Sequence, residues 1–191
     1  MGTTTLSLQP VIGIQILALF FFGKIVTKIG KTEKSQIEDN FSQQRDSYQV
    51  LANGGISWVL VILFYVGWID ANIANSMSLF AISAATGDTF SSELGILSEQ
   101  TPRMITNFKK VPRGTNGGVT SFGVLAAGLG GGLIGLVTCF VTFELSFFTI
   151  FRGIFSGITG STIDSIRERE CWFVLRPPWP SDVNTNLFKL K

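Results

Sequence analysis

From Gly117 to Phe143 the chain carries no charged residue. A run this long is at home in lipid, where a helix satisfies its own backbone hydrogen bonds and about 20 apolar residues cross the hydrocarbon core. Glycines at 123, 128, 130, 131, 132 and 135 punctuate it, so the spacing predicts a span that packs closely on neighbours and that tilts or breaks. Only 15% of the 191 residues are charged, against roughly 25% in ordinary soluble domains. Together these features predict an all-α, polytopic membrane helix bundle.

Four further runs join the first. Leu6 to Gly23 (6–23) is closed by Lys24 and Lys28, the reverse of a secretory signal's basic start, and is interrupted by Gln9, Pro10 and Gln15, so its firm part begins at Val11. The run 50–69 is uncharged and flanked by Tyr48 and Trp68 as interfacial anchors. Segment 71–87 holds Asn72, Asn75, Ser76, Ser78 and Ser83, the composition of a helix buried among others. Segment 145–163 contains Arg152 and closes on Asp164. With 117–143, about five transmembrane helices are expected.

Loop charges give an independent reading, because cytoplasmic loops gather Lys and Arg. Lys24, Lys28, Lys31, Lys34 and Arg45 fall in the first loop, none in the link at Asp70, and Arg103, Lys109, Lys110 and Arg113 in loop 96–116. The tail holds Arg167, Arg169, Arg176, Lys189 and Lys191. This alternation predicts an outside N-terminus and cytoplasmic loops 24–49 and 96–116. The chain has no histidine, which excludes a Ser-His-Asp triad, a Cys-His dyad and His-ligated metal sites. A net charge of +2 gives no reason to expect a nucleic-acid partner, and Cys139 and Cys171 have no spacing of a disulfide or zinc site.

Carboxylates at the edge of apolar spans are costly and therefore candidate functional groups. Asp88 and Glu93 lie in GDTFSSELG, and Asp164 ends GITGSTIDS, where Gly153, Gly157 and Ser161 repeat every fourth residue. On a regular helix Asp88 and Glu93 diverge by about 140°. They converge only if the chain unwinds near Gly87; otherwise they serve different partners or mark a helix end. A third element, KKVPRGTNGG, sets Lys109, Lys110 and Arg113 beside Gly114, Asn116, Gly117 and Gly118, directly before an apolar helix. Cations with a Gly-rich turn at a helix start suit phosphate, although no Lys-Ser or Lys-Thr follows as in a Walker A loop; a positively charged cytoplasmic turn is the alternative.

These blocks, GDTFSSELG, TPRMITNFKKVPRGTNGGVT and GITGSTIDS, resemble the transmembrane protein 19 family of integral membrane proteins, over roughly residues 24 to 165. That family is similar to the plant chloroplast enzyme that phosphorylates phytyl phosphate. The resemblance implies phosphoryl transfer to an isoprenoid or other lipid phosphate. It makes Asp88, Glu93 and Asp164 the candidates for catalysis, and Asp88 and Glu93 for holding Mg²⁺. Lys109, Lys110, Arg113, Gly114, Asn116, Gly117 and Gly118 become candidates for the phosphates of a nucleoside triphosphate. Such transfer needs positioning and charge neutralisation, not a protein nucleophile. The other class of function open to the sequence is a transporter or lipid-binding scaffold in which the polar third helix and the glycine-rich fourth line a path.

After Ser165 the chain departs from the family pattern. Four charges from Arg167 to Glu170, then Pro177, Pro178 and Pro180, predict that residues 166–191 form a divergent, poorly ordered cytoplasmic tail. The expected consequence is a bundle short of partners, in which Gly153, Gly157 and Ser161 face lipid or a second copy of the chain.

Overall fold

The computed structural model describes residues 9–30, 47–113, 115 and 117–175, with 47–54 and 168–175 as backbone. The architecture is helical: α1 (Pro10–Lys28), α2 (Ser47–Tyr65), α3 (Ala71–Gly95), α4 (Ser121–Thr142) and α5 (Phe147–Leu175). A two-stranded antiparallel clip, β1 (Arg103–Met104) with β2 (Gly118–Val119), precedes α4. By length and apolarity, α1 and α4 suffice to cross a bilayer, and α2 adds the shorter apolar stretch Gly55–Tyr65.

Local chemistry sets the boundaries. Pro10 occupies the first turn of α1, where its missing N–H costs nothing. Asp70 Oδ1 accepts the Ile73 N–H at 2.9 Å, and Thr120 Oγ1 accepts the Gly123 N–H at 3.0 Å, so α3 and α4 begin on capping side chains. Several expected boundaries move. The first helix continues through Lys24 and Lys28, charges that a helix tolerates at its end. The third runs eight residues past Gly87 without unwinding. The fourth is unbroken, and residues 117–120 belong to the clip and cap. The last helix passes Ile166 and is described as far as Leu175, because the charges after Ile166 do not oppose helix formation. The rest of the tail, 176–191, lies outside the described residues.

Close neighbours give each helix its direction. Thr27 on α1 bonds Glu93 on α3, Ser78 on α3 bonds Gln15 on α1, and Gly23 lies beside Thr89, so α1 and α3 run together. Gly123 sits by Ser91 and Gly130 by Thr86, which makes α4 antiparallel to α3. Gly131 meets Gly153, Gly135 meets Ile150, and Gly157 meets Ala127, so α5 is antiparallel to α4. The ends of α1, α3 and α5 and the start of α4 therefore share one end of the bundle.

Glycine makes the centre possible. A Cβ on Gly87 would stand 2.5 Å from Gly157 Cα, and one on Gly131 would stand 3.0 Å from the same atom. Three helices thus meet backbone to backbone at Gly87, Gly131 and Gly157, the approach that small residues permit in membranes. This corrects the expectation that Gly153, Gly157 and Ser161 face lipid or another copy: Gly153 packs on Gly131, Gly157 on Ala127 and Gly131, and Ser161 is buried. The sequence provides their partner in the glycine stripe of α4.

A polar hub lies toward the other end. Gln15, fully buried, donates through Nε2 to Thr138 Oγ1 at 2.9 Å and accepts from Ser78 Oγ at 2.8 Å, tying α1, α3 and α4. Ser83 is also buried, as the third segment's composition implied, whereas Asn72 at the start of α3 is exposed.

Candidate functional site

The shared end of the bundle collects most of the candidate groups. Asp88 and Glu93 lie in the last turns of α3, Asp164 toward the end of α5, and the clip carrying Lys109, Lys110 and Arg113 connects α3 to α4 across the same end. Gly114 and Asn116 lie outside the described residues.

Because α3 stays helical through Gly87, Asp88 and Glu93 point to different flanks. Glu93 turns to α1, where its Oε1 accepts the Thr27 hydroxyl at 3.0 Å. Asp88 follows another register. Ser156 Oγ donates to the Phe80 carbonyl at 2.7 Å, and a Cβ on Gly160 would lie 2.5 Å from Ala84 Cβ. Phe80 with Ser156 and Ala84 with Gly160 are two steps of four residues along parallel helices. One turn beyond the Ala84–Gly160 contact α3 carries Asp88 and α5 carries Asp164, both half-buried and toward the same end of the bundle. Asp88 and Glu93 thus lie on different flanks of α3, and Asp164 stands on α5, the helix packed against it. Among the described residues, no three acidic or sulfur-bearing side chains converge on one metal position.

The clip is ordered by backbone bonds. Met104 N–H donates to Lys109 O at 2.9 Å, Val111 N–H to Pro102 O at 3.0 Å, and Ile105 N–H to Gly117 O at 3.2 Å. Gly117 turns with φ 76°, which favours glycine, and Phe108 takes φ 53° at the hairpin tip, 71% exposed. Gly118 N–H is engaged by Thr115 O at 3.0 Å, and Gly123 N–H by its cap. These two donors serve the fold, while the side chains of Lys109, Lys110 and Arg113 are exposed.

Three structural residues did not emerge from the sequence reading as such. Gln15 counted there as a defect in a span, yet a lone amide in an apolar run signals an interhelical bond. Thr27 and Thr120, a partner of Glu93 and a helix cap, carry no distinctive pattern.

A helical bundle with glycine-stitched spans and one polar, charged end defines an integral membrane protein. The chain belongs to the DUF92 family of integral membrane proteins, whose model matches residues 1–167. It is similar to Protein PGR of Arabidopsis thaliana, 36% identical over 81% of this chain and 62% of that protein. An uncharacterized membrane protein of Methanocaldococcus jannaschii is 40% identical over 80% of this chain and 62% of its own length. Protein VTE6, chloroplastic, of Arabidopsis thaliana is 29% identical over 74% of this chain and 44% of that protein. The chain thus matches less than two thirds of the length of each of these relatives. No solved structure matches it.

Proposed function

We propose that this membrane protein transfers a phosphoryl group from a nucleoside triphosphate to an isoprenoid or other lipid phosphate, at the end of the bundle where the acids and the clip lie. The observation that supports the reading is that Asp88 on α3, Asp164 on α5 and the clip bearing Lys109, Lys110 and Arg113 all lie toward one end of the bundle. The resemblance of its motifs to those of the plant phytyl-phosphate kinase supplies the reaction class.

Two carboxylates on facing helices fit the habit of Mg²⁺, which is held by one or two carboxylates together with substrate phosphates. Bound there, the ion would neutralise phosphate charge. The chain's own cations, exposed on the clip, draw the triphosphate to the membrane end and hold it. An oxygen of the lipid monophosphate then attacks the γ-phosphorus. The bond from that phosphorus to the bridging oxygen breaks, giving a lipid diphosphate and a nucleoside diphosphate. The Lys and Arg distribution supports a cytoplasmic charged end, where nucleotide is available.

The test uses the full-length chain in lipid nanodiscs with Mg²⁺, γ-labelled nucleoside triphosphates and phytyl phosphate or a saturated alkyl phosphate. Labelled lipid diphosphate is expected, with a large loss when Lys109 and Lys110 are both replaced by Ala. Absence of transfer from all four common triphosphates, in a preparation that unfolds cooperatively, overturns the reading. Transport receives less support, since Gln15, Ser78 and Thr138 bond to one another.

A further inference from the structure

A cleft of about 450 Å³ opens between α3 and α5, within the range of roughly 300–1,000 Å³ typical of ligand pockets. Met77, Phe80 and Ala84 form one wall, and Ser156, Thr159 and Ile163 the other, over a floor completed by Ala81 and Gly160. Its hydroxyls are already committed: Ser156 Oγ donates to the Phe80 carbonyl at 2.7 Å, and Thr159 Oγ1 to the Phe155 carbonyl at 2.8 Å. The walls thus offer mainly carbon. Met77, Phe80 and Ile163 on the rim are exposed, in the surface of a membrane helix bundle.

The cleft has a polar end. Continuing along α3, Asp88 follows Ala84 by one turn, and along α5 Asp164 follows Gly160 by one turn. Beyond them lies the clip, where Arg103, Lys109, Lys110 and Arg113 stand in a segment, 100–119, that contains no acid. An apolar slot leading toward the clip's four cations is complementary to an amphiphile with one chain and an anionic head. From Met77 to Asp88 the wall rises about 16 Å, and the close Ala84–Gly160 contact leaves the slot a shallow floor that suits one chain.

We propose that the cleft between α3 and α5 seats the single hydrocarbon chain of the lipid phosphate, entering sideways from the bilayer with its headgroup toward Asp88 and Asp164. This rests on the phosphoryl-transfer reading for the identity of the headgroup, but chain binding is observable without transfer. Met77, at the end remote from the acids, then limits how far the chain extends, and its side chain sets the preferred length.

The experiment uses the full-length chain in nanodiscs with a single-chain alkyl phosphate carrying a terminal diazirine. Irradiation should label α3 around Met77 and the facing stretch of α5 around Ser156, and excess unlabelled alkyl phosphate should suppress the labelling. Ala81→Phe, which fills the slot, should reduce labelling about tenfold, because an overpacked site loses its guest. Met77→Ala, a rim change that leaves the helix contact intact, should shift preference toward chains longer by two to four carbons, by roughly threefold in competition. Labelling in the slot without phosphoryl transfer supports the cleft and rejects the reaction. Transfer with labelling elsewhere rejects the cleft and leaves the reaction standing. Equal competition by a two-chain phospholipid, or disulfide linkage between copies bearing Cys at position 81 and at position 159, overturns the proposal by showing another occupant.

Discussion

A Cβ on Gly87 would lie 2.5 Å from Gly157 Cα and 2.6 Å from Gly157 O. Both atoms belong to backbone, so the contact cannot be relieved by a side-chain rotation. The helices would have to separate, and Gly131, 3.1 Å from the Cβ that Gly157 lacks, would lose its packing too. Gly87→Ala and Gly157→Ala are each expected to destabilise the bundle by about 1–3 kcal/mol. Gly55→Ala, where nothing lies within 4 Å, is expected to be neutral or to stabilise by roughly 0.5–1 kcal/mol through helix propensity. Unfolding of the purified protein in mixed micelles measures both. Equal effects at Gly55 and Gly87 would contradict the packing.

The Gln15 hub gives a second, smaller effect. Thr138 Oγ1 also donates to the Ile134 carbonyl at 2.8 Å, whereas Ser78 Oγ donates to Gln15. Interhelical bonds in membranes average near 0.6 kcal/mol in double-mutant cycles, with a maximum of about 1.7. Gln15→Leu should therefore cost about 0.5–2 kcal/mol, less if leucine fills the volume well. Combined with Ser78→Ala, the loss should be smaller than the sum of the two, because each substitution removes the same bond. Strict additivity would mean that the two side chains act separately.

Much of the fold was legible because membrane helices announce themselves by what they exclude. The absence of charge from 117–143 located α4, and the repeat Gly153, Gly157, Ser161 marked a close-packing face of α5, although the reading gave it lipid or another copy as its neighbour. What faced that repeat was not legible. A small residue every fourth position gives the stripe but not its partner, so nothing in α5 points to Gly131. The acids illustrate the same limit. Asp88 and Glu93 are close in sequence and were read together, while Asp164 is distant, yet helix direction brings the ends of α3 and α5, and with them Asp88 and Asp164, to one end of the bundle. The clip was invisible for a different reason: two-residue strands have no periodicity to detect, and Phe108 at φ 53° is a residue type that seldom takes that conformation.

Helix direction alternates from α1 to α5, so Lys110 and Arg167 lie at one end of the bundle, and Asp70 and Glu144 at the other. If each helix crosses the bilayer, single cysteines at 110 and 167 should react with an impermeant maleimide only from the cytoplasmic side. Cysteines at 70 and 144 should react only from the opposite side, all in a background with Cys139 and Cys171 changed to Ser. Labelling of positions 110 and 144 from the same side would reduce the number of crossings and reject the orientation given by the Lys and Arg distribution.

The three acids should separate by function. If Asp88 and Asp164 act together on phosphate or its metal ion, Asp88→Asn and Asp164→Asn should each lower phosphoryl transfer by roughly 100-fold or more, comparable to removal of one electrostatic contact in the transition state. The double substitution should then be little worse than either single one, since groups acting as a unit are not additive. Glu93 is bonded to Thr27 on α1, at a surface where such a bond is worth about 1 kcal/mol. Glu93→Gln keeps an acceptor for the Thr27 hydroxyl and should leave transfer within about threefold, whereas Glu93→Ala should lower stability by roughly 1 kcal/mol with a similar small effect on rate. Metal titration adds a readout that packing alone would not move: Asp88→Asn and Asp164→Asn should raise the Mg²⁺ concentration needed for half-maximal nucleotide binding, and Glu93→Gln should not. If Glu93→Gln shifts that titration as far as Asp88→Asn, the acids nearest in sequence form the site after all and the pairing across α3 and α5 is wrong.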